Sequence, residues 1–579
     1  MQCEYIKITD FICKTDKFII PLYQRNYEWK DDQCEALYYD LIELKDNKRT
    51  KHFIGSIVSI TTKNLANKRE LIDGQQRIIT IYLIFLAMYN LIKEGVISKE
   101  ITEELIKEKY LIDKFSKESN KEKIEPTKKD KDDLYLIIDG KIDLNQKYNS
   151  NIIENYKFFY YKLKNKKVSI DDLYKSIQKL EFVSMVLDVD ENPQLIFESL
   201  NSKGLALQIS DKIRNFLLMQ IADIEEQKNI YEKYWKKIED ILGDSFDLFI
   251  KHYLTFKNKF YTNNGKKRDG YEAYKRFFFS SIFGGYLSAL KDMMYYAELY
   301  GCLLHFYTNS DKINKYLKYF YFLSQNDIRP FLLFILDMYK QKEIPEKNII
   351  SIFNILESYL FRRAICKKGI SWYLFANIQK DMLKNEKKDY FLTFQESFFK
   401  QISSKIDYKF PNDNEFEESF KKGEMQLNLN TDRKKRQCFY MIARLENFNN
   451  KEYIDFFENK KQYQIEHIMP QKLSPEWIKD LGDNYKKIHE NWLNNIGNLT
   501  LTGYNPELSN KSFSLKRKLY AESSLKLNQI IAQYEKFGES EMYQRVDFLS
   551  KRAIQIWSYP KEEITKYQDE LTFTRSNEV

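Results

Sequence analysis

Apolar positions change their period at one break early in the chain. The pair Leu71-Ile72 stops at Asp73-Gly74, and apolar residues resume as Ile78, Ile79, Ile81, Tyr82, Leu83, Ile84, Phe85 and Leu86. Asp-Gly is turn chemistry and the following run is long enough for a buried helix, so this stretch predicts strand, turn and helix. Upstream, Phe18-Ile19-Ile20-Pro21-Leu22 and the alternating Phe53 to Ile60 predict two strands, with helical spacing over Asp31 to Leu44 between them. Downstream, Phe182 to Val189 predicts a strand, Gln194 to Leu200 a short helix stopped at Asn201 and Gly204, and Ser210-Asp211 the start of a helix through Leu217. From about Asp223 to Glu424 apolar residues recur at three and four and proline is sparse, which predicts a helical bundle. The expected fold class is α+β, predominantly α-helical, with a small α/β unit at the N-terminus.

The 579 residues leave room for several cores, and the expected domains are 1–222, 223–425 and 426–579, the last boundary drawn near Lys421 to Asn430. Residues 93–131, dense in Lys and Glu, read as exposed helices and a linker. With 43% hydrophobic and 31% charged residues the chain reads as soluble and globular rather than disordered. Lys and Arg number 93 against 84 Asp and Glu, a balance of +9 that allows a polyanionic partner without requiring one. Six cysteines without CxxC spacing indicate neither a disulfide framework nor a zinc site, and a reducing cytoplasm is the expected location. The longest apolar run, Ile78 to Ile92, is short and carries Tyr82, Tyr89 and Asn90, so no membrane span is expected.

Two stretches carry candidate chemistry. A glycine turn feeding a helix start presents unpaired N–H groups, and Gln75-Gln76-Arg77 adds amides and a fixed cation suited to phosphate; the same residues also suit a polar turn capping a core helix. Near the other end, only one of the five histidines has a chemical context: His467 follows Glu466, precedes Pro470, and is answered by Asn495-Ile496-Gly497-Asn498-Leu499-Thr500-Leu501, then Asn505, Asn510, Phe513 and Lys516. The run Arg433-Lys434-Lys435-Arg436 reads either as a contact to a phosphate backbone or as solvated helix surface.

Four motifs stand in one order: Tyr23-Gln24-Arg25-Asn26-Tyr27-Glu28-Trp29, Phe53 to Val58, Asp73 to Arg77, and Phe197 to Gly204. Together they resemble the DGQQR-type N-terminal domain of the GmrSD, BrxU and SspE group of modification-dependent (type IV) restriction systems. The resemblance implies a fold similar to ParB and sulfiredoxin, with a nucleotide held by Gln24, Arg25, Asp73, Gly74, Gln75, Gln76, Arg77, Glu198 and Asn201. Arg25 and Arg77 would then contact phosphates, and Tyr23 would touch DNA; read without the family, Tyr23, Tyr27 and Trp29 are core or rim aromatics. The series around His467 resembles the HNH (ββα-metal) nuclease domain joined to this N-terminal domain in the same group. It implies a catalytic set of His467, Asn498 and Asn510, with His467 as general base, and metal ligands from Glu466, Asn505 and Asn510. Lys511, Lys516 and Arg517 would lie on the DNA backbone.

The expected function is an NTP-dependent, modification-sensing DNA endonuclease acting against foreign or phage DNA, using Mg2+ or Mn2+ and GTP or another NTP, with homo-oligomerisation left open. The alternatives are a DNA-sensing regulatory protein with an inactive nuclease, and an RNA-directed HNH nuclease.

Overall fold

The Asp73-Gly74 break does separate a strand from a helix: in the computed structural model Lys68–Asp73 is extended and Gln75–Lys93 is helical. The structure describes residues 2–46, 49–61, 68–114, 116, 121–165, 168–187, 208–221, 223–257, 262–263, 266–267, 269–280, 283–323, 328–385, 389–423, 431–458, 462–503 and 508–576. These residues are α+β and predominantly helical, and they form two units, Met1–Ile250 with Arg268–Met294, and Lys251–Lys267 with Tyr295–Val579.

The first unit is built on six strands, β1 (Gln2–Lys7), β2 (Lys17–Ile19), β3 (His52–Thr61), β4 (Lys68–Asp73), β5 (Ile124–Glu125) and β6 (Leu180–Leu187). Their order in the sheet is β1-β6-β3-β4-β2-β5, with β3 parallel to β6, β4 parallel to β2 and β2 parallel to β5, and with β1–β6 and β3–β4 antiparallel. The expected helix over Asp31 to Leu44 spans Asp31–Lys45. Helix Gln75–Lys93 is long and apolar enough to cross a membrane by length and composition alone. Its Ile81, Ile84, Phe85 and Met88 are instead buried in the core of this unit. Burying so apolar a helix requires layers on all sides, and residues from the segment 93–131 supply one of them. That segment was expected to be exposed; in fact Ile106, Tyr110, Leu111 and Ile124 are buried, and Lys123 is buried with its ammonium donating to the carbonyl of Ile12 at 3.0 Å. The charged residues masked short apolar recurrences that pack only in three dimensions. The expected short helix over Gln194 to Leu200, with its stop at Asn201 and Gly204, lies outside the described residues.

The second unit includes a short hairpin, β7 (Thr262–Asn263) with β8 (Lys266–Lys267), and a helical assembly whose members include Asp311–Leu323, Arg329–Lys340, Glu346–Ile365, Tyr390–Ser404 and Asp432–Asn447. Aromatic rings fill its core: Phe361 stacks on Trp557 with centroids 3.7 Å apart, and Phe394 on Phe398 at 5.5 Å. Arg362 is fully buried and is satisfied by Asp413 at 2.6 Å and the carbonyl of Pro411 at 3.1 Å. The last strands, β9 (Gln464–His467) and β10 (Leu499–Thr502), form an antiparallel ribbon followed by helix Phe513–Glu522.

Candidate functional site

In the first unit, Gly74 adopts φ +93°, the left-handed conformation that favours glycine. A Cβ there would lie 2.8 Å from Ile57 Cγ1 and 3.3 Å from Ile57 Cα, so the turn after β4 is pressed onto β3. Gly74→Ala is expected to cost about 1–3 kcal/mol through strain and this overlap. Gly95→Ala, at φ +95° with nothing nearby, isolates the backbone part. Equal losses for both in a thermal melt would remove the contact from the explanation.

Arg77 enters the first turn of the helix and donates through Nη1 to the carbonyl of Ile54 at 2.6 Å and through Nη2 to Asp73 Oδ2 at 3.2 Å. Gly55 makes room for it: a Cβ there would lie 2.3 Å from Nη1. Both Arg77 and Asp73 retain about a fifth of their side-chain exposure, so the pair stands at the surface of the turn.

Of the two readings open for the glutamines, their contacts match the polar turn packed on a core helix. Gln76 accepts from the amides of Glu28 and Trp29 at 2.7 and 3.2 Å and donates to the carbonyl of Asn26 at 3.0 Å. Gln24 donates to the carbonyl of Ile72 at 2.8 Å, and Gln75 donates to Gln24 at 3.1 Å. All three are buried, so their amides fasten the loop 23–29 to the turn rather than facing solvent. Tyr23, expected on DNA, is buried too, and its carbonyl accepts from Arg214 Nε at 2.9 Å.

Arg25 and Glu28, paired at 2.9 Å, belong to a larger charged group. Burial raises the Glu28 carboxyl above its usual range; Arg25 opposes this, and Asp211 and Arg214 act on it as well. Arg214 bridges Asp211 and Glu239, each at 2.8 Å. The sequence reading took Asp211 only as a helix start and missed Arg214, because a cation in an amphipathic helix looks like solvated surface until its partners are placed. Arg25 Nε is buried and meets no acceptor among the described residues, an orphan donor of the kind an anion would satisfy. Glu198 and Asn201 lie outside the described residues.

In the second unit, Leu499 pairs with His467 and Thr500 with Glu466 across the β9–β10 ribbon. Adjacent strand residues point to opposite faces, so Glu466 and His467 leave β9 on different sides. His467 is mostly buried, and its Nε2 lies 3.2 Å from Asn494 Oδ1. Burial lowers its pKa below the ordinary imidazole value, with Asn494 opposing, which favours the neutral, proton-accepting ring. Asn494 is a partner the sequence did not disclose among so many asparagines.

Asn498 is fully buried; its Oδ1 accepts from the amide of Met469 at 2.6 Å, and its Nδ2 donates to the carbonyls of Met469 and Leu493, each at 3.0 Å. It therefore shapes the loop after His467 and does not touch the ring. His489 Nε2, 3.0 Å from the carbonyl of Pro470, braces the same loop.

Lys516 corrects the sequence reading most clearly. Expected on the DNA backbone, it is fully buried, its Nζ 2.7 Å from Glu466 Oε1 and 2.8 Å from the carbonyl of His467. Burial raises the Glu466 carboxyl and lowers the Lys516 ammonium, and each partner opposes the shift of the other. Lys511 and Asn510 are exposed on the turn before the helix, a turn held by Trp477 Nε1 on the carbonyl of Lys511 at 2.8 Å. Arg517 is half-buried and donates to the carbonyl of Ala532 at 2.9 Å; Asn505 lies outside the described residues.

Among the described residues no three His, Cys, Asp or Glu side chains gather into a metal-holding group. The Glu466 carboxylate has one oxygen on Lys516 and Asn510 is exposed, a donor chemistry of carboxylate and amide oxygen that suits a hard ion such as magnesium, which keeps several waters, rather than a zinc-type cage.

Comparison with known families places these two sites in one context. Residues 8–218 match the GmrSD restriction endonuclease N-terminal domain, and residues 410–552 match the GmrSD restriction endonuclease C-terminal domain. The chain belongs to the GmrSD restriction endonuclease family. No curated protein matches it. Membership makes the protein a GmrSD-like type IV restriction endonuclease, an enzyme of defence whose partner is DNA. The first GmrSD segment contains the Gly74 turn and the loop it fastens, and the second contains the ribbon with His467.

Proposed function

We propose that this GmrSD-family protein is a nucleotide-regulated endonuclease that reads a DNA modification through its first unit and cleaves through an HNH-type site in its second. The observation that carries the reading is His467: a single imidazole on a two-stranded ribbon, kept neutral by burial and oriented by Asn494, next to a helix that closes the motif. A neutral imidazole can take a proton from water as it attacks a phosphodiester. Glu466 and Asn510, with Asn505 as the other candidate, would hold Mg2+ or Mn2+, which when bound supplies charge compensation at phosphate. Lys516 keeps β9 in place by holding both the Glu466 carboxylate and the backbone of His467. Lys511 and Arg517 would contact the DNA backbone.

In the first unit, Arg77 and the orphan Nε of Arg25 support an anionic ligand, and GTP or another NTP is the reading. The buried glutamines would transmit its presence by moving the loop they fasten. The cytoplasm is the expected site of action.

The test is plasmid DNA, unmodified and from modified phage, incubated with each nucleotide in magnesium or EDTA beside His467→Ala and Arg77→Ala. Cleavage that requires His467 and magnesium, and that depends on nucleotide and Arg77 for one kind of DNA, is the expected result. Nucleotide turnover without cleavage of any DNA would instead select the regulatory reading, and cleavage confined to RNA the RNA-directed one.

The pH profile follows from the sign of the His467 shift. A base with a lowered pKa is active above that pKa and fails as pH falls through it, so the acid limb of kcat/KM is expected below the ordinary imidazole value of about 6.5. An acid limb at or above that value would mean that His467 is not the titrating base.

A further inference from the structure

We propose that the second unit carries a track for an unpaired DNA strand, running from the basic first turns of helix Asp432–Asn447 over Tyr321 to the cleft beside Tyr307 and Tyr453. The proposal rests on the reading that DNA is the substrate, and the surface it concerns extends beyond the family match: residues 305–322 lie outside both matched segments, while Arg433 to Arg436 and Tyr453 lie within the second.

Arg433, Lys434, Lys435 and Arg436 crowd the positive end of their helix, where cations oppose the helix dipole and an anion is favoured. Lys367, held at φ +53° after helix Glu346–Ile365, adds a fifth charge near Lys434. Among the described residues Arg433, Lys434, Lys435 and Lys367 form no ion pair. The patch does not end there. The Arg436 guanidinium lies 5.4 Å over the ring of Tyr321, and Tyr321 lies 5.2 Å from Phe306. Phe306 lines a cleft of about 1010 Å³ that also holds Tyr307, Lys312, Lys315 and Tyr453. Tyr307 is 74% exposed and Tyr453 45% exposed, and Lys315 Nζ stands 4.1 Å over the Tyr453 ring. Two of the acids in this cleft, Asp455 and Glu458, are bound by Lys318 at 3.0 and 2.6 Å; the third, Asp311, opens the helix that carries the lysines.

Cations alone would suit a duplex, whose phosphates are outside and whose base faces are hidden. Exposed aromatic rings interleaved with cations suit a strand whose bases are free to stack while its phosphates follow the lysines. Spacing agrees: Lys312 and Lys315, three residues apart, fall on one face of helix Asp311–Leu323, beside Tyr453. The strand would be one freed at a nick or a frayed end.

The experiment measures fluorescence anisotropy of a labelled oligothymidylate of ~20 nucleotides, the same sequence as a duplex, and the matching oligouridylate, with the full-length chain. Tyr307→Ala/Tyr453→Ala is expected to weaken single-stranded DNA binding roughly 10- to 100-fold, as loss of base stacking does, while duplex binding changes less than about twofold. Arg433→Glu/Lys435→Glu is expected to flatten the dependence of log affinity on log salt by about 0.7 per lost phosphate contact. Equal loss on duplex and single strand, no binding of the oligothymidylate, or tighter binding of the oligouridylate would each overturn the proposal. Plasmid nicking by the same preparations keeps the two readings apart: nicking without oligothymidylate binding removes only the track, and binding without nicking removes only the nuclease reading.

Discussion

Lys516→Met is expected to destabilise the second unit by about 3–5 kcal/mol, the usual cost of removing one partner from a buried ion pair. The physical reason is that Glu466 would keep a carboxylate in a mostly buried position with no cation beside it, and the carbonyl of His467 would lose its donor. Glu466→Gln/Lys516→Met removes both charges and should recover much of the loss, because the penalty lies in the uncompensated charge rather than in the absent attraction. Denaturant titration of the full chain, following the transition that reports the second unit, gives both numbers. The single variant's deficit should also shrink as pH falls, since a protonated Glu466 needs no cation, and burial already raises that carboxyl. A single variant costing under about 1 kcal/mol, or a double variant as unstable as the single, would show that the pair does not hold β9 in place.

His467→Ala is expected to lower the cleavage rate by about 10²- to 10⁴-fold while DNA affinity and melting temperature stay close to the parent values. The ring is mostly buried and its one described partner is the amide of Asn494, so removing it takes away a proton acceptor without leaving a buried charge. Asn494→Ala should produce a smaller loss and move the acid limb to still lower pH, because Asn494 opposes the lowering of the His467 pKa by burial and its removal leaves burial unopposed by that partner. Single-turnover cleavage at saturating DNA separates the chemical step from binding. Retention of cleavage to within about threefold in His467→Ala would move the base elsewhere.

The sequence made several elements legible because their signals are local. The strand-turn-helix at residues 71–86 follows from an apolar run broken by Asp-Gly, and the glycine does take the left-handed conformation. The ribbon around His467 and its following helix were visible as an ordered series of short motifs, and the strands pair as that series implies. What failed was inference from polarity to exposure. Gln24, Gln75, Gln76 and Lys516 are polar residues in motifs; the resemblance implies ligand or DNA contacts for them, while the turn residues by themselves equally suit a polar cap on a core helix. All four are buried and satisfied by partners between 48 and 51 residues away. A polar side chain in a sequence does not reveal whether its hydrogen bonds will be made to ligand, water or protein, since the same donor serves all three.

By itself, then, the sequence determined the class of the fold, the turn at Gly74, the strand bearing His467 and the family to which these motifs belong. These depend on side-chain period, on glycine's access to positive φ and on short ordered motifs, all of which are written within a few residues. The tertiary structure alone decided what each cation meets. It put Lys516 inside against Glu466, joined Arg214 to Asp211 and Glu239, and set Arg436 over Tyr321 on the surface. The reason is that a charge acquires its role from its surroundings: burial makes an unpaired ion so costly that folding must bring it a partner, and that partner is chosen by packing between segments distant in the chain.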